Sequence, residues 1–112
     1  MTPSLDTTFA ALSDPTRRGV VDLLRKQPRR ASDLAEHLGA SRPAMSKHLR
    51  VLRASGLVET SEDDADDARE RIYRLRPAPF AQLRTWLGEV ERFWTVQLDA
   101  FKAHAEAKAK KR

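Results

Sequence analysis

Residues 32–56 read SDLAEHLGASRPAMSKHLRVLRASG, and the placing of caps and apolar positions within them decides the fold. Ser32 offers a cap to a short helix carrying DLAEHL, because a hydroxyl accepts from the N–H groups an α-helix leaves unpaired in its first turn. Gly39 stops that helix, glycine taking the left-handed conformation at little cost. Only three residues separate it from the next helix. Ser41 caps this second helix, and Pro43 is tolerated in its first turn, where a missing N–H removes no intrahelical bond. The helix is expected to run to Ser55, with Gly56 beyond its end. At 100° per residue, Leu49 and Leu52 fall within about 40° of Met45 and form a core stripe. Pro43, Lys47 and Arg50 lie on the opposite side, flanked by Ser46. A hydroxyl, an ammonium and a guanidinium near a helix N-terminus suit DNA, since they donate to phosphates or to guanine acceptors.

Working outward, Asp14-Pro15 predicts a helix over residues 15–26 with Val20, Val21 and Leu24 on one face. Two extended runs, LVETS at 57–61 and ERIYRL at 70–75, flank an acidic segment and predict a β-hairpin with a long tip. Helix, three-residue turn, helix and hairpin make a winged helix-turn-helix, with the helix-turn-helix at 32–55 and the wing at 57–75. From about residue 79 to 108, Phe80, Leu83, Leu87, Val90, Trp94, Leu98 and Phe101 recur at steps of three or four. Such a helix is roughly 45 Å long, more than a small domain covers. Its stripe, with Leu5, Phe9 and Leu12 near the N-terminus, predicts a dimer interface. Trp86 and Trp94 fit packing on this helix better than stacking on bases. The expected fold is mainly α with a small β-hairpin, a winged helix-turn-helix with N- and C-terminal dimerisation helices. One domain spans 1–108, followed by a basic tail at 109–112.

The chain has 112 residues, 33% charged and 40% hydrophobic, which suits one domain rather than a large enzyme with a deep pocket. It contains no cysteine, which removes disulfides, thiolate metal sites, cysteine nucleophiles and thiol switches together. No apolar run approaches the roughly 20 residues needed to span a bilayer, and MTPSLDTTF lacks the features of a signal peptide. A soluble cytoplasmic protein is expected. The net charge is +5, and its distribution is uneven. Residues 15–56 hold ten basic side chains against three acidic ones, a net +7 that fits a polyanionic partner. The sign then reverses in EDDADD at 62–67, and the chain closes on KAKKR.

The stretches ALSDPTRRGVVDLL, ASDLAEHLGASRPAMSKHLRVLRASGLV and RIYRL, in that order over residues 9–75, resemble the ArsR-type (arsenic-repressor) winged-helix regulators. The resemblance implies a homodimeric repressor that sets one recognition helix per subunit into successive major grooves of a palindromic operator on double-stranded DNA. It places Arg42, Pro43, Ser46, Lys47 and Arg50 against the groove, beside the cap Ser41. Two departures separate the chain from metal-sensing members. ASDLAEHL carries none of their cysteines, and LRPAPFAQL has prolines where others place Asp and His ligands. Metal derepression through those sites is not expected, no cofactor is expected, and the inducing signal stays open.

Other features have plainer readings. Asp33 and His37 stand at i,i+4, but two ligands make no metal site. His48 lies at the edge of the core stripe, where packing or a hydrogen bond outweighs DNA contact, and His104 is solvated. Ser46 and His48 are not accompanied by a nucleophile elbow or oxyanion loop, so no catalytic activity is expected. Five carboxylates at the wing tip would be repelled by phosphate, while Arg69 and Arg71 at its base would reach the DNA backbone. The tip is expected to be a solvated loop, or else to lower nonspecific DNA affinity. Two alternatives stand beside the regulator reading: a winged helix that uses the same face for a protein partner, and a metal sensor with a histidine site built from residues such as His37 and His104.

Overall fold

A computed structural model describes residues 4–61 and 71–110. The elements are α1 (Leu5–Leu12), α2 (Pro15–Leu24), β1 (Arg29–Arg30), α3 (Ala31–Leu38), α4 (Arg42–Ala54), β2 (Val58–Thr60), β3 (Ile72–Leu75) and α5 (Pro77–Lys110). The segment 62–70, which holds the acidic tip and Arg69, and the last two residues of the basic tail lie outside the described residues.

The helix ends follow local chemistry. Ser4 accepts from the Thr7 amide at the start of α1, Asp14 from the Thr16 and Arg17 amides at the start of α2, and Ser41 from the Ala44 amide at the start of α4. Gly39 and Gly56 adopt positive φ, 62° and 77°, just after α3 and α4. The Ala40 amide then donates to the Ala35 carbonyl, and the Leu57 amide to the Leu52 carbonyl, both at 3.0 Å, closing the last turns. α2 stops at Leu24, two residues before the expected end, because Arg25 is already its cap.

Ser32 does not cap α3. The helix begins at Ala31, and Arg30, in extended conformation, precedes it without a side-chain cap. The reason is a third strand that the hairpin reading lacked. β3 pairs antiparallel with β2 (Val58↔Leu75, Glu59↔Arg74, Thr60↔Tyr73) and also with β1 (Arg29↔Tyr73, Arg30↔Ile72), giving the order β1-β3-β2. Pairing with β3 holds residue 30 extended, so the turn from strand to helix fixes where α3 starts.

The chain divides into two units, one through Ala81 and one from Gln82. The core of the first is formed by Ala11, Val20, Leu24, Leu34, Ala35, Met45, Leu49, Leu52, Leu57, Val58 and Tyr73. It includes the predicted Met45, Leu49 and Leu52 stripe. α2 and α3 approach closely at Gly19, where an added Cβ would lie 2.8 Å from Leu38 Cδ2. Leu12 and Phe80, grouped by the sequence with the partner-facing positions, are partly buried against this core.

The second unit is the remainder of α5. Its apolar residues are strongly exposed: Leu87 49%, Trp94 56%, Leu98 60% and Phe101 72%. Leu83 and Val90 are half-buried. Phe93 adds to this surface, its ring meeting that of Trp94 edge to face at 5.6 Å. Among the described residues no helix is long and apolar enough to cross a membrane.

Candidate nucleic-acid interface

The capped start of α4 positions the polar face. Ser41 Oγ accepts from the Ala44 amide at 3.2 Å, fixing the first turn in which Arg42 and Pro43 stand. Burial of Met45, Leu49 and Leu52 then sets the rotation of the helix. Ser41, Arg42, Pro43, Ser46, Lys47 and Arg50 are all exposed as a result. Among the described residues the side chains of Arg42, Lys47 and Arg50 have no hydrogen-bonding or ion-pair partner.

The exposed side chains fall into two groups. Arg42, Ser46 and Arg50, joined by Arg53 one turn further, lie within about 80° of each other on the helical wheel. They border a cavity of about 240 Å³ between α3, α4 and β3, whose other lining residues include Ser32, Arg71 and Tyr73. Pro43 and Lys47 point further round the helix and do not border it. The structure thus joins the wing-base Arg71 to the α4 arginines. Arg69 falls outside the described residues.

Arg53 and Ser32 escaped the sequence reading as polar groups of this region. For Arg53 a signal existed, since it stands three residues after Arg50 and on the same side. For Ser32 there was none, because its place depends on β1.

The basic stretch is not uniformly presented to solvent. Arg17 Nε donates to the Ala11 carbonyl at 2.6 Å and its Nη2 to the Ala10 carbonyl at 3.2 Å. Arg18 Nη1 donates to the Leu12 carbonyl at 2.8 Å. These guanidiniums close the last turn of α1, where the Ala10 carbonyl also accepts from the Ser13 amide at 3.3 Å and from Ser13 Oγ at 2.7 Å. His48 joins the same region: its Nδ1 lies 3.8 Å from an Asp14 carboxylate oxygen and 3.4 Å from Arg17 Nη1. It links α4 to the start of α2, as its position at the edge of the core stripe implied. The hydrogen bond from the Arg17 amide holds the Asp14 carboxyl below its ordinary pKa; desolvation opposes it, while His48 nearby, the Thr16 amide and the Arg17 guanidinium act in the lowering direction.

His37 Nδ1 meets the Asp33 carbonyl oxygen at 2.9 Å, so Asp33 and His37 are joined through the backbone. Among the described residues no three His, Cys, Asp or Glu side chains gather as metal ligands would.

A helix-turn-helix whose second helix is exposed along a basic face, followed by a paired hairpin, defines a winged-helix DNA-binding protein. The sequence model described as "Bacterial regulatory protein, arsR family" matches residues 14–60. The HTH-type transcriptional regulator Rv2034 of Mycobacterium tuberculosis is 40% identical over 98 residues, covering 88% of this chain and 85% of that protein. The transcriptional repressor SdpR of Bacillus subtilis is 41% identical over 54 residues, covering 48% and 60% of the two chains. Among solved structures, an ArsR-like transcriptional regulator from Rhodococcus sp. RHA1 is 38% identical and superposes with a TM-score of 0.69, covering 92% of this chain and 91% of its own. This chain belongs to the ArsR family, and it is a DNA-binding transcriptional regulator.

Proposed function

We propose that the protein is a homodimeric repressor that binds a palindromic operator with α4 of each subunit and acts in the cytoplasm, without a catalytic step. The observation that carries this reading is the capped, exposed face of α4. Ser41, Arg42, Pro43, Ser46, Lys47 and Arg50 stand there together, with the core stripe turned away. Ser46 and the helix start suit phosphate, while Lys47 and the arginines reach phosphates or guanine edges. Arg71 at the base of the wing extends this contact, and Arg69 is assigned the same role from the sequence.

Dimerisation is supported by the apolar surfaces. Monomeric soluble proteins rarely leave contiguous apolar area of this kind in water. Leu83, Leu87, Val90, Trp94, Leu98 and Phe101 on α5, and Phe9 on α1, are assigned to the interface, together with Leu12 and Phe80, which are partly buried against the core of the first unit. A two-fold dimer sets its two α4 helices about 34 Å apart, one turn of DNA.

The inducing signal does not act through the usual cysteine or last-helix metal sites. The chain has no cysteine, and Pro77 and Pro79 occupy the first turn of α5.

Sedimentation velocity of the wild type and of Trp94→Ala, each paired with operator titration, tests the assembly. The wild type sediments as a dimer. Trp94→Ala shifts toward monomer and loses operator affinity in parallel, because one half-site supplies too few contacts. A Trp94→Ala protein that stays dimeric with full affinity contradicts this interface.

A further inference from the structure

The cavity between α3, α4 and β3 has a composition that DNA contact alone does not require. Its floor is apolar, made by Ala31, Ala35, Met45, Leu49 and the ring of Tyr73. Its rim carries four guanidiniums, from Arg42, Arg50, Arg53 and Arg71, with hydroxyls from Ser32 and Ser46, and among the described residues no carboxylate lines it. Among the described residues Arg42, Arg50 and Arg53 make no hydrogen bond or ion pair through their side chains. α3 opens on the cavity through Ala31 and Ser32 and has no side-chain cap, so its positive end adds to the same field. A concave apolar floor with a few convergent groups of one charge is the usual form of a small-ligand site. The volume, about 240 Å³, falls below the roughly 300–1,000 Å³ of pockets for drug-sized molecules and limits the guest to a compact one.

We infer that this cavity is a binding site for a small organic oxyanion, a carboxylate or phosphate ester on a compact apolar body, whose occupancy excludes DNA. The inference rests on the DNA-binding reading of α4. Arg42, Ser46 and Arg50 are assigned to both partners, so an anion seated on them removes donors from the operator. The apolar body lies on Met45 and Leu49, while the charge meets arginines that fork onto two oxygens at once. The ligand is therefore an effector that relieves repression by competition.

Calorimetry on DNA-free protein with phenyl phosphate, benzoate and neutral benzyl alcohol tests the site itself. At least one anion is expected to bind, and benzyl alcohol at least about tenfold more weakly, because it leaves the guanidiniums unanswered. The two anions distinguish phosphate esters from carboxylates. Arg53→Gln should weaken the better probe about tenfold or more, and Ala35→Leu should abolish its binding by filling the floor. Circular dichroism of both variants checks that they fold.

Anisotropy with operator DNA tests the consequence. With the better probe at ten times its own Kd, the apparent Kd for DNA rises about tenfold, the mass-action result for ligands that exclude each other. Ala35→Leu, which alters no group assigned to DNA, keeps its DNA affinity but loses this response. No binding of either anion, or equal binding of benzyl alcohol, overturns the site. Binding without DNA displacement overturns the competition. A folded Ala35→Leu protein whose DNA is still displaced by the probe would place the anion outside this cavity and overturn the proposal. Because the calorimetry contains no DNA, failure of the operator reading would leave its result intact.

Discussion

Arg50→Ala and Arg17→Ala each remove one guanidinium from the same basic stretch, and they are expected to have opposite consequences. Arg50 stands exposed on α4 with no described partner, so its free energy is available to DNA. Arg17 is committed to the Ala10 and Ala11 carbonyls. If Arg50 neutralises one phosphate, its loss lowers the slope of log K against log salt by about 0.9, and a guanine contact would cost about 1–3 kcal/mol with little change of slope. For Arg17, two charge-assisted bonds to carbonyls at a partly exposed site are worth about 1–2 kcal/mol together. At about 4–8 °C per kcal/mol for a domain of this size, the midpoint of unfolding falls by roughly 5–15 °C. The assay is fluorescence anisotropy with operator DNA at four salt concentrations, well below the unfolding temperature of either variant, with thermal melts alongside. Arg50→Ala should bind more weakly with a melt close to wild type, and Arg17→Ala should melt early with an unchanged salt slope. If Arg17→Ala lowered the slope as much as Arg50→Ala, the division of the basic stretch into structural and DNA-facing arginines would be wrong.

Other perturbations probe the core, the caps and the tip. Leu52 is fully buried between the helices of the first unit, so Leu52→Ala should cost about 3 kcal/mol and lower the melt by roughly 12 °C or more. A loss under about 1 kcal/mol by urea titration would contradict that packing. Because the folded pKa of Asp14 is lowered, its contribution to stability is present above its unfolded pKa near 3.8 and is lost as pH falls through the folded value. The melting difference between wild type and Asp14→Asn should therefore shrink below about pH 4; a difference unchanged from about pH 5 down to about pH 2.5 would remove the charge from the account. Replacing Glu62, Asp63, Asp64, Asp66 and Asp67 by Ser should tighten binding to a scrambled duplex and steepen its salt dependence, and unchanged binding would exclude a repulsive role for the tip.

The parts of this fold legible in the sequence were those governed by local chemistry. Ser41, Pro43 and Gly56 bracket α4 because a cap, a tolerated proline and a left-handed glycine each act within a few residues of their own position. The Met45, Leu49 and Leu52 stripe set the rotation of that helix, and so the identity of its exposed face. What escaped depends on residues far apart in the chain. β1 is two arginines long and has no alternating pattern, and it exists because Tyr73 and Ile72 pair with it across some forty residues. The start of α3 followed β1, which is why Ser32 was misread as a cap. Arg17 and Arg18 look like DNA ligands in a charge count, and only the end of α1 beside them reveals their use. The cleft formed by Arg42, Arg50, Arg53 and Arg71 was likewise out of reach, since its fourth arginine arrives at the base of the wing, just before β3.

The central claim is that the α4 face reads a DNA sequence, and equilibrium anisotropy with the DNA upstream of the protein's own gene, against a scrambled duplex of equal length, tests it most directly. The account predicts a preference of about a thousandfold or more for the upstream duplex at physiological salt, surviving chelator and lost in Lys47→Ala combined with Arg50→Ala. Equal, weak binding to both duplexes with a steep salt slope would contradict it, leaving only the attraction of a basic surface for phosphate.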